Sequence, residues 1–243
     1  MRTNIQIIEL GDIYPLSLSK IKLFGYSTKT FNVIFPKLNF KNNSILDNYD
    51  LVLMNKDFID FQYAIVNIDF TIIIVNRPLE NGFFSRIINE NLIVISIFGI
   101  DSLNIHEGIS YEMFINRLLL AYVGMFKVHL KINRNTLDLM QINSTGCLYD
   151  YSIYKPDIAK FFRKPIISSK ARKIFNESNH KDFIQLLEKA IKKLEIGSFY
   201  KIKDWLKENP MKGLIFTFLI SFIFSGLLGN FIYDLIKWYF NIF

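Results

Sequence analysis

The chain has 243 residues, of which 51% are hydrophobic and 21% charged, and it carries a formal net charge of +7. Its single cysteine, Cys147, excludes an internal disulfide framework and suits a reducing compartment. No Gly-x-x-x-x-Gly-Lys or Gly-x-Gly-x-x-Gly run occurs and no nucleic-acid-binding signature accompanies the basic charge, so neither those nucleotide sites nor a nucleic-acid partner is expected.

Residues 1–100 read as strands. The expected ones are Ile5–Glu9, Phe31–Phe35, Asp50–Met54, Tyr63–Ile68, Thr71–Asn76 and Leu92–Phe98. The runs Ile72-Ile73-Ile74-Val75 and Leu92-Ile93-Val94-Ile95 are continuous and rich in β-branched residues, as in central strands covered on both faces. Asn42-Asn43-Ser44 and Asp47-Asn48 punctuate them as turns. His106-Glu107 begins like the His-Glu-x-x-His zinc motif, but Ser110 stands where the second imidazole is required. Ser110 instead caps a helix whose apolar face, with Met113, Leu118–Ala121, Val123, Gly124 and Phe126, runs to about Val128. Asn133–Ser144 reads as irregular, or as holding a short strand.

The next segment carries Gly146-Cys147-Leu148-Tyr149-Asp150-Tyr151, then Lys155 and Asp157-Ile158, and finally Pro165-Ile166-Ile167-Ser168-Ser169-Lys170-Ala171. It resembles a segment of a poorly characterised bacterial family, some of whose members are zincin-like or found beside defence genes. That pattern ends in Ile-Cys-x-x-Cys. Ser168 and Ala171 stand here in place of the two cysteines, so no thiolate zinc site is expected at this spot. Cys147 itself reads as a small buried hydrophobe. Between Ala159 and Lys173, the cations Lys160, Arg163, Lys164, Lys170, Arg172 and Lys173 interleave with Phe161, Phe162 and Ile166-Ile167, with no acidic residue among them. Such a face suits anionic lipid headgroups or phosphate.

Helices are expected over Asp157–Arg163 and Ser168–Asn176, and from Lys181 along an amphipathic stretch. A further piece runs from Gly197 toward Trp205 and stops near Asn209-Pro210. From Gly213 to Tyr233 there are 21 residues without a charge. At about 1.5 Å per residue they span about 31 Å, the thickness of a bilayer's hydrocarbon core. Lys201, Lys203, Lys207 and Lys212 precede the span, whereas Lys237 is the one cation after it, so the positive-inside rule places the preceding domain in the cytoplasm. Gly213, Thr217, Ser221, Ser225 and Gly229 recur every fourth residue and form a stripe suited to helix–helix packing.

The expected fold is therefore α/β, with a mixed sheet in an N-terminal cytosolic domain followed by helices and a single C-terminal transmembrane helix. The expected boundaries are 1–177 for the domain, 178–212 for a helical stalk, 213–233 for the membrane helix and 234–243 for an interfacial tail. This arrangement predicts a single-pass, tail-anchored protein of the bacterial inner membrane whose cytosolic domain senses or binds a ligand. With the defence-associated resemblance, it further implies an effector of an anti-phage system that self-associates in the bilayer and works with a defence-system partner protein. The alternative is a membrane-tethered zincin-like hydrolase or its inactive relative. No catalytic residue, metal ligand or cofactor is expected.

Overall fold

The structure, a computed structural model, describes residues 2–36, 52–54, 58, 67–141, 146–150 and 155–242. The turns expected at 42–44 and 47–48 lie outside the described residues, as do 50–51 and 63–66 of the strands expected at Asp50–Met54 and Tyr63–Ile68; of the first of these, residues 52–54 form only an isolated bridge, from Leu53 to Leu79. The chain divides into two compact units, Met1–Ile196 and Gly197–Phe243.

The first unit is built on a five-stranded mixed sheet in the order β2-β1-β3-β5-β4. The strands are β1 (Thr3–Leu10), β2 (Phe31–Ile34), β3 (Phe70–Val75), β4 (Ser85–Asn89) and β5 (Leu92–Ser96). Strands β2, β1, β3 and β5 are parallel, and β4 runs antiparallel to β5. Every residue of β3 and β5 is buried, as their unbroken apolar runs require of strands covered on both faces. On one face, Ile8, Leu10, Ile73, Val75, Leu92 and Val94 pack with Leu53, Phe58 and Leu79. On the other, the Phe70 ring lies 5.8 Å from that of Phe126 in the long helix α3.

Strand β4 has no counterpart among the strands expected from sequence. It is a short, half-buried edge strand whose SRIIN sequence carries little apolar signal, and it is held by its hairpin to β5. Asn91 takes the positive φ that the turn needs, at 59°. Its Oδ1 also accepts from the Ile132 amide at 2.7 Å, and its own amide donates to the Ile132 carbonyl at 2.9 Å.

Helix α1 (Leu18–Thr28) was likewise not expected, since residues 1–100 read as strands; Gly25 stands in its middle, where glycine disfavours a helix. The glycine is needed for close approach: a Cβ there would meet the Phe31 ring at 2.3 Å. His106 and Glu107 fall in the last turn of another unexpected helix, α2 (Asp101–Glu107), which ends on Gly108 at φ 67°. Helix α3 (Tyr111–His129) starts where the sequence places it, with Ser110 Oγ accepting from the Met113 amide at 3.2 Å. Phe114 through Met125 are all buried. A 3-10 helix (Arg134–Leu139) fills half of the stretch read as irregular, and 142–144 of that stretch lie outside the described residues.

Helices α4 (Lys155–Arg163), α5 (Ser169–Glu177) and α6 (Lys181–Lys192) complete the unit. Helix α6, expected in the stalk, packs within the first unit against α3 and α1. Lys193 just beyond it donates to the Ser27 carbonyl at 3.2 Å. Its apolar face (Ile184, Leu187, Ala190, Ile191) is buried, which draws it into the domain.

The second unit holds α7 (Ser198–Glu208) and α8 (Pro210–Ile242). Pro210 opens α8, where a missing N–H costs nothing. Pro210–Asp234 is long and apolar enough to cross a membrane, with mean hydropathy 2.0, and none of its most apolar window is buried. The helix continues unbroken past Tyr233 to Ile242, so the tail takes the form of further helical turns.

Candidate functional site

A cavity of about 400 Å³ opens in the first unit between β4, α3, the 3-10 helix and the residues around 150. Its volume lies in the range of small-molecule sites. Helix α3 contributes Phe114, Arg117, Leu118, Ala121 and Tyr122, the i, i+3, i+4, i+7, i+8 set that shares one helical face. Strand β4 contributes Ser85, Arg86 and Ile87, and the hydroxyl of Tyr122 donates to Ser85 Oγ at 2.8 Å across the gap. Phe83, Phe84, Met140 and Leu148 add further apolar wall.

Three arginines line this space, and they differ in their surroundings. Arg86 is paired with Glu80 at 2.6 Å and lies 5.0 Å from the Phe83 ring centroid. Arg134 is exposed. Arg117 is only 4% exposed, on a face otherwise apolar or aromatic. Its Nη2 donates to the Asp150 carbonyl oxygen at 3.4 Å, its guanidinium carbon lies 5.2 Å from the Phe161 ring centroid, and its buried Nε has no hydrogen-bond partner in the protein. Burial pulls the guanidinium down to about 10, against the opposing charge of Asp150. The group therefore stays cationic at neutral pH, incompletely compensated in a low-dielectric setting.

The residues expected to touch lipid or phosphate do not converge on this cavity. Lys160 pairs with Asp157 at 2.9 Å, Arg163 with Glu107 at 2.7 Å, Arg172 with Glu188, and Lys173 with Glu177 at 3.8 Å. Acids from outside the basic run thus partner four of its cations, while Lys164 and Lys170 are exposed on the surface. Glu107 serves to tie α2 to α4 through Arg163.

Cys147 is buried, and its Sγ accepts from the Ser168 amide at 3.2 Å. Ser168 in turn caps α5, its Oγ accepting from the Ala171 amide at 3.1 Å. The positions that carry two cysteines in the resembling family are thus the N-cap and third residue of a helix here. Among the described residues, no group of three or more His, Cys, Asp or Glu side chains is placed to hold a metal ion.

In the second unit, Gly213 abuts α7, since a Cβ there would lie 3.0 Å from Leu206 Cδ2. Thr217, Ser221, Ser225 and Gly229 are exposed along α8. The hydroxyls of Thr217 and Ser225 donate to the carbonyls four residues back, at 2.9 and 2.7 Å. That pattern satisfies them without water.

Sequence reasoning passed over Arg117. The signal was present: a lone arginine in register with Phe114, Leu118 and Ala121 on a face read as core.

No family model and no curated protein matches the sequence. Among solved structures the chain is similar to archaemetzincin from Methanopyrus kandleri, with a TM-score of 0.47 and 11% identity over 73% of this chain and 96% of that one.

Proposed function

We propose that this is a single-pass membrane protein whose α/β domain binds a small ligand in the cavity between α3 and β4. The observation that carries the reading is α8: Pro210–Asp234 is apolar, and none of its most apolar window is covered by protein. An exposed apolar surface of that length is unfavourable in water and favourable in a bilayer. The lysines before the span orient the domain to the cytoplasm, at the inner membrane of a bacterium. Fractionation tests the anchor. The full chain should stay in the membrane pellet through alkaline carbonate washing, and a chain ending at Asn209 should be released; a full chain extracted by carbonate overturns the anchorage.

The resemblance of residues 146–171 to defence-associated proteins extends this reading to an anti-phage effector. Ligand or partner binding would shift self-association through Thr217, Ser221, Ser225 and Gly229 and so disturb the membrane. A single helix encloses no pore, so this activity requires an oligomer. Membrane depolarisation on expression of the full chain, absent for the chain ending at Asn209, is the expected result. Stoichiometric zinc in the purified protein would favour the membrane-tethered hydrolase instead.

A further inference from the structure

We infer that the cavity takes a small organic monocarboxylate, its carboxylate neutralising Arg117 and its apolar or aromatic body packed between Phe83, Phe84, Phe114 and Leu118. The inference rests on the ligand-binding reading above and narrows it to one chemical class.

Arg117 carries the argument. A buried guanidinium is retained at a cost unless an anion answers it. Within the protein it has the charge of Asp150 nearby, a long bond to one backbone carbonyl, one aromatic ring and an Nε with no acceptor. Tethering α3 to residue 150 requires a single neutral donor, which an amide side chain provides without burying a charge. The planar guanidinium offers more: two parallel donors matched to the two oxygens of a carboxylate. Burial holds its affinity for a proton down to about 10, which marks the desolvation a ligand's charge would offset.

The charge count selects the anion. Of the cavity's other cations, Arg86 is already answered by Glu80 and Arg134 is exposed to water. Asp150 adds a negative charge to the same wall. With Arg86 answered by Glu80, the charges of Arg117, Arg134 and Asp150 leave the lining with a single positive charge, which one carboxylate cancels and a phosphate dianion would overshoot. The remaining wall is apolar and aromatic, so the body of the ligand is too. The hydroxyls of Tyr122 and Ser85, 2.8 Å apart, stand where a second polar group on that body would find partners.

The test uses the full chain in an uncharged detergent and compares benzoate with benzamide, which has the same shape and no charge, and with phenyl phosphate. Calorimetric titration should show saturable benzoate binding, with benzamide and phenyl phosphate each about tenfold weaker or worse. Arg117→Met should weaken benzoate by a similar factor and leave the benzamide signal unchanged. Benzamide binding as tightly as benzoate would overturn the carboxylate class while leaving the ligand-binding reading standing. Phenyl phosphate binding more tightly than benzoate would overturn the monoanion. If no probe binds, both the inference and the ligand-binding reading fall, and the anchor alone remains. Should Arg117→Met fail to fold, the comparison of benzoate with benzamide on the unaltered chain decides the matter.

Discussion

The phenolic oxygen of Tyr149 occupies the space that a side chain on Gly124 would need: a Cβ at position 124 would lie 1.8 Å from it. Tyr149 is fully buried, its ring centroid is 6.2 Å from that of Phe175, and its hydroxyl has no hydrogen-bond partner. Burial pushes its ionisation well above the usual range, so it stays neutral. Gly124→Ala should therefore destabilise the domain by about 3 kcal/mol or more, since the contact is with a rigid ring. Tyr149→Phe alone should lie within about 1 kcal/mol of the unaltered chain, because the hydroxyl it removes is unsatisfied. Combined, the two changes should recover only part of the loss, as the Phe175 ring stands 3.1 Å from the same Cβ position. Chemical denaturation of the four proteins gives the cycle, and strict additivity would refute the contact.

Arg117 should cost stability in the ligand-free protein. Replacing it with methionine removes a buried, poorly compensated charge, and the unfolding free energy should rise by about 1–3 kcal/mol. The sign of the pH dependence follows from the lowered ionisation. A base held near 10 when folded and well above that when unfolded is cationic in both states below about 10, so the penalty is constant there. It shrinks only as pH rises above about 10, where the folded state gives up its proton first. The difference between the two proteins should thus be flat from about pH 6 to 9. A difference that varies across that range would assign the effect to another group.

The Glu107–Arg163 pair predicts a structural role for a residue that resembles part of a zinc motif. Glu107→Gln should destabilise the domain by about 0.5–1 kcal/mol, and added salt should reduce the difference, as expected of a half-buried ion pair. His106→Ala, at an exposed position, should change stability by less than about 0.5 kcal/mol. Denaturation at low and high salt reads both.

In α8, Gly213 and Gly229 should separate. A Cβ on Gly229 meets nothing within 4 Å, so Gly229→Ile leaves the packing of α7 on α8 intact and reports on self-association alone. Gly213→Ile presses on Leu206 and should disturb the α7–α8 corner as well. Crosslinking in native membranes is expected to lose oligomers with Gly229→Ile; unchanged oligomers would remove the stripe from the association surface.

Much of the fold was legible because its elements are continuous in sequence. The runs of β3 and β5, the cap at Ser110 and the charge-free stretch in α8 each state their structure locally. What escaped depends on partners distant along the chain. Gly25 argues against a helix until Phe31 is seen against it, and β4 shows little apolar periodicity because it is a half-buried edge. The basic run between Ala159 and Lys173 looks unopposed because the acids that answer it, Glu107 and Glu188 among them, lie outside the run. The cavity was illegible for the same reason. Arg117 could be noticed in sequence, but that β4 and residue 150 close around it is a matter of tertiary packing.

Cys147 supplies an unforced consequence. It is the chain's single thiol, it is 1% exposed, and it holds the amide that begins α5. A thiol reagent can reach it only when the 146–150 segment parts from α5, so the rate of alkylation is a native stopwatch for that opening. Because the same short segment provides the carbonyl that meets Arg117, a bound carboxylate should slow the stopwatch without a single engineered label.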